Sequence, residues 1–144
     1  MITSKALRRA MHKMAAKKGD FTLFATFMRS NGLGLWDLVV AAPWLNKERY
    51  KAMREVAGLL REAVGKSAIS GFAKVVPVDA DDPSVRFILT NLPVEDGEIR
   101  IKKPDLFDLE FDEAIIFRAK KPAANRNGAV RRKTDPVAVG ADGT

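Results

Sequence analysis

Apolar residues recur along this chain with spacings that predict alternating helices and strands. Leu7, Met11 and Met14 fall at i, i+4 and i+7, one face of a helix over residues 3–18. Thr3 or Ser4 is its N-cap and Gly19 stands where a C′ glycine would. Asp20 to Arg29 fits two periods. Phe21, Phe24, Phe27 and Met28 suit a helix capped by Asp20, whereas Phe21, Leu23, Ala25 and Phe27 suit a strand; the helix is preferred. Asn31-Gly32 is a turn signal. Leu35 to Trp44 is then nearly unbroken apolar sequence with one charge, Asp37, and Pro43 stops it. A run without polar alternation suits a strand covered on both faces, here Trp36 to Ala42, leading into a loop that carries an indole.

Asn46 can cap the next helix, whose apolar face is Tyr50, Met53, Val56, Ala57, Leu60, Ala63 and Val64. Phe72 to Val78 is a second strand. Pro77 has no N–H for a ladder, so this strand lies at an edge or pairs only through its first part. Asp82-Pro83 is an N-cap followed by proline at N1, and Val85, Ile88, Leu89 and Leu92 make a short amphipathic helix that Pro93 ends. After the Asp96-Gly97 turn, Glu98 to Lys103 alternates as a strand with one wet side. Leu106 to Phe111 is irregular or a short strand, and Ala114 to Arg118 is the last strand. The order α-α-β-α-β-α-β-(β)-β predicts an α/β fold. Its mixed, mainly parallel sheet of about four to five strands is flanked by helices, with a basic helix in front and a disordered tail behind.

Composition adds limits rather than a function. At 144 residues, 47% hydrophobic and 30% charged, the chain suits one globular domain. It divides into a basic helix (1–18), an α/β domain (19–119) and a tail (120–144) without apolar periodicity. Absence of cysteine excludes disulfides, thiol nucleophiles and thiolate metal sites, and fits a reducing, cytoplasmic location. No run approaches the roughly 18 apolar residues of a membrane span. The N-terminus has no h-region. It lacks acids, as a mitochondrial transit peptide does, but is poor in serine.

The net charge of +7 changes the picture when divided by segment. Residues 1–18 hold Lys5, Arg8, Arg9, Lys13, Lys17 and Lys18 and no acid. Residues 19–119 hold 13 basic and 16 acidic side chains. Residues 120–144 hold Lys120, Lys121, Arg126, Arg131, Arg132 and Lys133 against Asp135 and Asp142. The basic character belongs to the ends. Arg8, Arg9, Lys13, Lys17, Arg131, Arg132 and Lys133 are the candidate phosphate contacts of a nucleic-acid partner. The tail has no aromatic for base stacking, so such contacts would be salt-sensitive and weakly specific.

Other candidates follow from where ligands bind in open α/β sheets, beyond the carboxyl ends of strands. Trp44 and Asn46, after the first strand, could seat a ligand or partner. Asp37, at that strand's opposite end, reads as a cap or a paired charge. Asp79, Asp81 and Asp82, after the second strand, could hold Mg²⁺, although a solvated turn and helix cap is the preferred reading because Pro43 to Asn46 offers no further carboxylate. Asp105, Glu110, Asp112 and Glu113 beside Lys102 and Lys103 suggest a nuclease-like metal site but match no strict spacing. His12 is the sole histidine, which excludes a multi-histidine metal site, and reads as solvent-exposed. Gly32-Leu33-Gly34 precedes a strand rather than following one, so it is no dinucleotide fingerprint.

Asp37 to Trp44, with Gly19 to Arg29 before it and Ile116-Phe117-Arg118-Ala119-Lys120 after it, resembles a small bacterial family of uncharacterised proteins. The resemblance covers about residues 19–121 and implies no activity or site residue. Without a catalytic constellation, the expected function is a non-enzymatic binding domain whose basic ends give auxiliary nucleic-acid contact. The alternatives are a metal-dependent, phosphate-acting enzyme using Asp79 to Asp82, and a subunit that docks on a protein partner or a second copy through its N-terminal helix.

Overall fold

The segment that satisfies two periods in the sequence settles as a strand. In the computed structural model, which describes residues 4–30, 32–45, 49–65, 71–95 and 97–121, Leu23–Arg29 forms β1. Every residue from Phe21 to Phe27 is buried. A helix docked on a core keeps a solvent face, whereas a strand inside a sheet is covered on both sides, and the apolar character of both parities fits only the latter. The preferred helix for Asp20 to Arg29 is therefore corrected to a strand.

The other elements are α1 (Ser4–Lys18), β2 (Trp36–Ala41), a 3₁₀ turn (Pro43–Leu45), α2 (Arg49–Val64), β3 (Phe72–Pro77), α3 (Pro83–Asn91), β4 (Ile99–Lys102), β5 (Asp105–Leu106) and β6 (Leu109–Ala119). They build a six-stranded sheet in the order β3-β2-β1-β6-β4, with β5 pairing the start of β6. The α/β class and the mixed sheet agree with the sequence. The expectation of mainly parallel pairing does not hold. Only β2 and β3 are parallel, while β1–β2, β1–β6, β4–β6 and β5–β6 are antiparallel. Parallel neighbours need a long crossover, and α2 supplies the one between β2 and β3. The short Ser30–Leu35 connection can only return the chain as a hairpin. Gly32 and Gly34, at φ +77° and +70°, supply its left-handed bends.

Strand alternation sends apolar side chains to both faces. Phe24, Leu38, Val40, Ile115 and Phe117 meet Leu7, Ala10, Met11 and Met14 of α1 and Ala52, Val56 and Leu60 of α2. Leu23, Ala25, Phe27, Val39, Ala41 and Ile116 meet Val85 and Ile88 of α3 with Leu106 and Phe111. The sequence-predicted stripe of α1 thus lies in the core, where each fully buried Leu or Met contributes about 1.5–3 kcal/mol. Tyr50, placed on the apolar face of α2 by its spacing, is instead 77% exposed. Pro77 lies in an edge strand. Val78 N–H donates inward to Val40 O (2.9 Å), so the proline's missing N–H falls on the outer side of β3 and costs the ladder nothing.

The stretch after Pro104 is a tight hairpin. Phe107 and Asp108 turn between β5 and β6 with φ +59° and +54°. Positive φ at both central residues matches right-handed strand twist, although Asn-Gly or Asp-Gly usually supplies it. Here Phe107 is held by its ring edge against Phe27 (5.5 Å between centroids) and by its N–H to Ser84 Oγ (2.7 Å). The last strand is longer than Ala114 to Arg118, beginning at Leu109 directly after this turn. Asp82 caps α3 as its sequence predicts, accepting from Ser84 N (2.8 Å), with Pro83 in the first turn.

Because β2 and β3 are parallel and β1 is antiparallel to both β2 and β6, the carboxyl ends of β2, β3 and β6 lie at one end of the sheet. The α1–β1 junction joins them there, since Thr22 N donates to Ala41 O (2.7 Å) and Lys120 N to Thr22 O (3.0 Å). No helix among the described residues is long and apolar enough to cross a membrane.

Candidate functional site

The α1–β1 junction is built around Gly19. Its φ of +120° suits glycine alone, its N–H closes α1 on Ala15 O (2.8 Å), and its carbonyl accepts from Trp44 Nε1 (2.9 Å). A Cβ at residue 19 would stand 3.2 Å from Trp44 Cδ1. Pro43–Leu45 presents Trp44 half-buried, edge-on to Phe21 with centroids 5.3 Å apart. Gly19→Ala therefore combines backbone strain with displacement of the indole. It is expected to lower stability by about 1–3 kcal/mol in urea denaturation. Trp44→Phe, which loses the hydrogen bond but keeps an aromatic ring, should cost about 1 kcal/mol.

Beside this junction is a cleft of about 380 Å³ lined by Lys18, Asp20, Phe21, Trp44, Arg118, Lys120 and Lys121, among others. Most of its cations are already engaged. Lys18 Nζ pairs with Glu55 (2.5 Å), Arg118 with Asp20 (3.4 Å) and with Glu95 O (2.9 Å), and Lys120 Nζ with Glu95 (2.7 Å). The hydrogen bond from Lys18 holds the Glu55 carboxyl below the usual carboxylate range, and that from Lys120 does the same for Glu95. Lys121 carries no carboxylate partner among the described residues. The cleft can seat a flat apolar group against Trp44 beside a modest positive charge. Among the described residues its one carboxylate is Asp20, and no histidine lines it.

The acids after β3 have separate structural duties. Asp79 pairs with Arg49 at the start of α2, and Asp82 caps α3. Asp81 lines a second hollow of about 410 Å³ with Arg86 and Lys121, distinct from the Trp44 cleft but sharing that lysine. Asp105 stands opposite Glu110 in the β5–β6 ladder. Asp112 accepts from Ser30 Oγ (2.8 Å), and Glu113 pairs with Arg100 (3.4 Å). Among the described residues no three or more His, Asp or Glu side chains gather as a metal site would require. Asn46, Asp96, Arg126, Arg131, Arg132 and Lys133 lie outside the described residues, as does the expected disordered tail (120–144) apart from Lys120 and Lys121, of which Lys120 is bonded to Thr22 and Glu95.

Among the described residues the largest uncompensated charge lies on α1. With its apolar stripe in the core, Arg9, His12, Lys13 and Lys17 are exposed on the opposite face, and Arg8 is half-buried on its flank. Lys5 joins them. Lys5, Arg9, Lys13 and Lys17 form an i, i+4 row, a spacing present in the sequence that brings Lys5 in beside the predicted phosphate contacts. Lys18 falls on the buried side and pairs with α2. Ser4 and Arg100 fix the start of the helix to β4, Arg100 Nη2 donating to Ser4 Oγ (3.0 Å). The cation row therefore stands on a helix anchored at both ends. No protein-family model matches the chain, nor does any curated protein or solved structure.

Proposed function

We propose that the protein is a binding module that docks on a nucleic-acid phosphate backbone through the outer face of α1. The observation that carries this is the exposed row Lys5, Arg9, Lys13 and Lys17 opposite an apolar stripe already used by the core. Four residues of helix rise about 6 Å. Successive cations therefore form an evenly spaced positive line that can face a duplex's regular array of phosphates. No acid lies between residues 4 and 18 to oppose them. Arg8 supports the row from the flank, and Arg131, Arg132 and Lys133 add charge from the C-terminal segment. Nothing in this arrangement reads a base edge, so the binding is backbone-directed and weakly specific.

The test is fluorescence anisotropy of the full chain with a labelled 20-base-pair duplex across a salt series. Wild type should bind more weakly as salt rises, linearly in log–log form. Arg9→Glu/Lys13→Glu/Lys17→Glu should weaken binding on the order of a hundredfold near 0.1 M salt and reduce the slope by about three. These positions are exposed, so circular dichroism should remain native. Equal affinity and slope for the two proteins would refute the proposal.

A further inference from the structure

On the far side of the molecule from β4, the sheet ends in an open edge. Among the described residues no strand lies outside β3. Between that edge and α2 runs a groove of about 360 Å³. Its floor includes Met53, Leu60, Phe72 and Val75, and its cations are Arg54, Arg61 and Lys74. Among the described residues no carboxylate lines it.

We propose that the groove between α2 and the outer edge of β3 receives an extended acidic segment of a partner protein, which adds to the sheet as a strand. Two features converge. The first is the main chain. Val78 N–H points inward to Val40 O, and Val40 and Leu38 of β2 register with Pro77 and Val75. Backbone groups alternate along a strand, so Val75 presents its N–H and C=O outward and Pro77 its C=O. An incoming strand meets these at β spacing, with alternate side chains entering the apolar floor.

The second is charge. Arg54, Arg61 and Lys74 are exposed, and Arg61 and Lys74 have no ion-pair partner among the described residues. A guest with acids at its solvent-facing positions meets them directly. Charge disfavours other occupants. The chain's own residues 122–144 carry four cations and two acids. A second copy paired edge to edge would bring two sets of Arg54, Arg61 and Lys74 together. Tyr50, the exposed aromatic at the groove, already has the Arg54 guanidinium over its ring at 5.2 Å, so it offers a nucleic-acid base no free stacking face on that side.

The experiment titrates isotopically labelled full-length protein with a capped (Glu-Val)5 peptide. Saturable shifts at Ala73, Lys74 and Val75, with slowed exchange of the Val75 amide, are expected. A peptide N-methylated at every second residue, in each of the two registers, separates strand addition from simple charge attraction. One register should bind and the other fail. Arg54→Glu/Arg61→Glu/Lys74→Glu should weaken the peptide roughly tenfold or more. Arg9→Glu/Lys13→Glu/Lys17→Glu should leave it bound, which separates this proposal from the α1 interface. Equal binding by both N-methylated registers, shifts confined to α1, or no saturable binding would overturn it. So would a concentration-dependent dimer in sedimentation whose formation protects the Val75 amide without peptide.

Discussion

Phe24→Ala is expected to remove about 3–5 kcal/mol of stability, the usual loss for truncating a fully buried phenylalanine. Phe24 has no solvent exposure and sits at the centre of the sheet, edge-on to Phe21 (5.0 Å) and Phe117 (6.3 Å). It lies beneath both helices of that face, so little can move inward to close the cavity. Against a typical total of about 5–15 kcal/mol, such a loss is a large fraction. Urea denaturation should show a lower midpoint, and thermal melting a fall on the order of 10 °C. Phe87→Ala is the control. Its ring is 51% exposed on α3, and the change should stay within about 0.5 kcal/mol. Similar losses for both would contradict the assignment of the core to the β1 face.

Removing Arg29 is the second large effect, and its origin is electrostatic. Arg29 Nε bonds Asp37 Oδ2 at 2.8 Å across the β1–β2 hairpin. The Asp37 side chain is only 3% exposed, and its other oxygen has no hydrogen-bond partner among the described residues. The paired-charge reading of Asp37 is therefore correct. Arg29 itself is 32% exposed, so solvent screens part of the attraction. Even so, Arg29→Ala leaves a buried carboxylate without its cation, and a cost near 3 kcal/mol is expected. Arg29→Met/Asp37→Leu removes both charges while keeping an unbranched chain at 29 and the branched shape at 37, and should recover most of that loss. Chemical denaturation of the wild type and these two variants measures both. A single variant as stable as wild type would show that Asp37 is solvated or paired elsewhere.

The parts legible in the sequence were those where one local pattern had one meaning. The stripe of α1, the Asp82-Pro83 start of α3 and the edge position implied by Pro77 each follow from local chemistry. Phe21 to Phe27 was illegible because two-sided burial erases the period that distinguishes a strand from a helix. That single substitution of strand for helix also reversed the sheet from mainly parallel to mainly antiparallel. The Phe107-Asp108 turn carries none of the usual turn residues, and tertiary contacts impose its backbone. At the candidate site, the charge of α1 was visible, but its arrangement depended on knowing which face the core consumes. The Trp44 cleft joins residues from the end of α1, the 3₁₀ turn after β2 and β6, and no local pattern announces that meeting.

The place of β6 has a consequence for how the protein folds. Among the described residues β6 is the last strand in sequence and also an interior one, hydrogen-bonded to β1 along one side and to β4 along the other. Its pairing with β1 joins Leu23 to Ala119, so the longest loop in the sheet must close before either core is sealed. The β1–β2 hairpin can form early from nearby residues, yet the apolar β1 edge then waits for residues 109–119. Such long-range closure slows folding and prolongs exposure of unpaired strand edges. During synthesis, Phe24 and Phe27 would therefore depend on the last strand for their shelter.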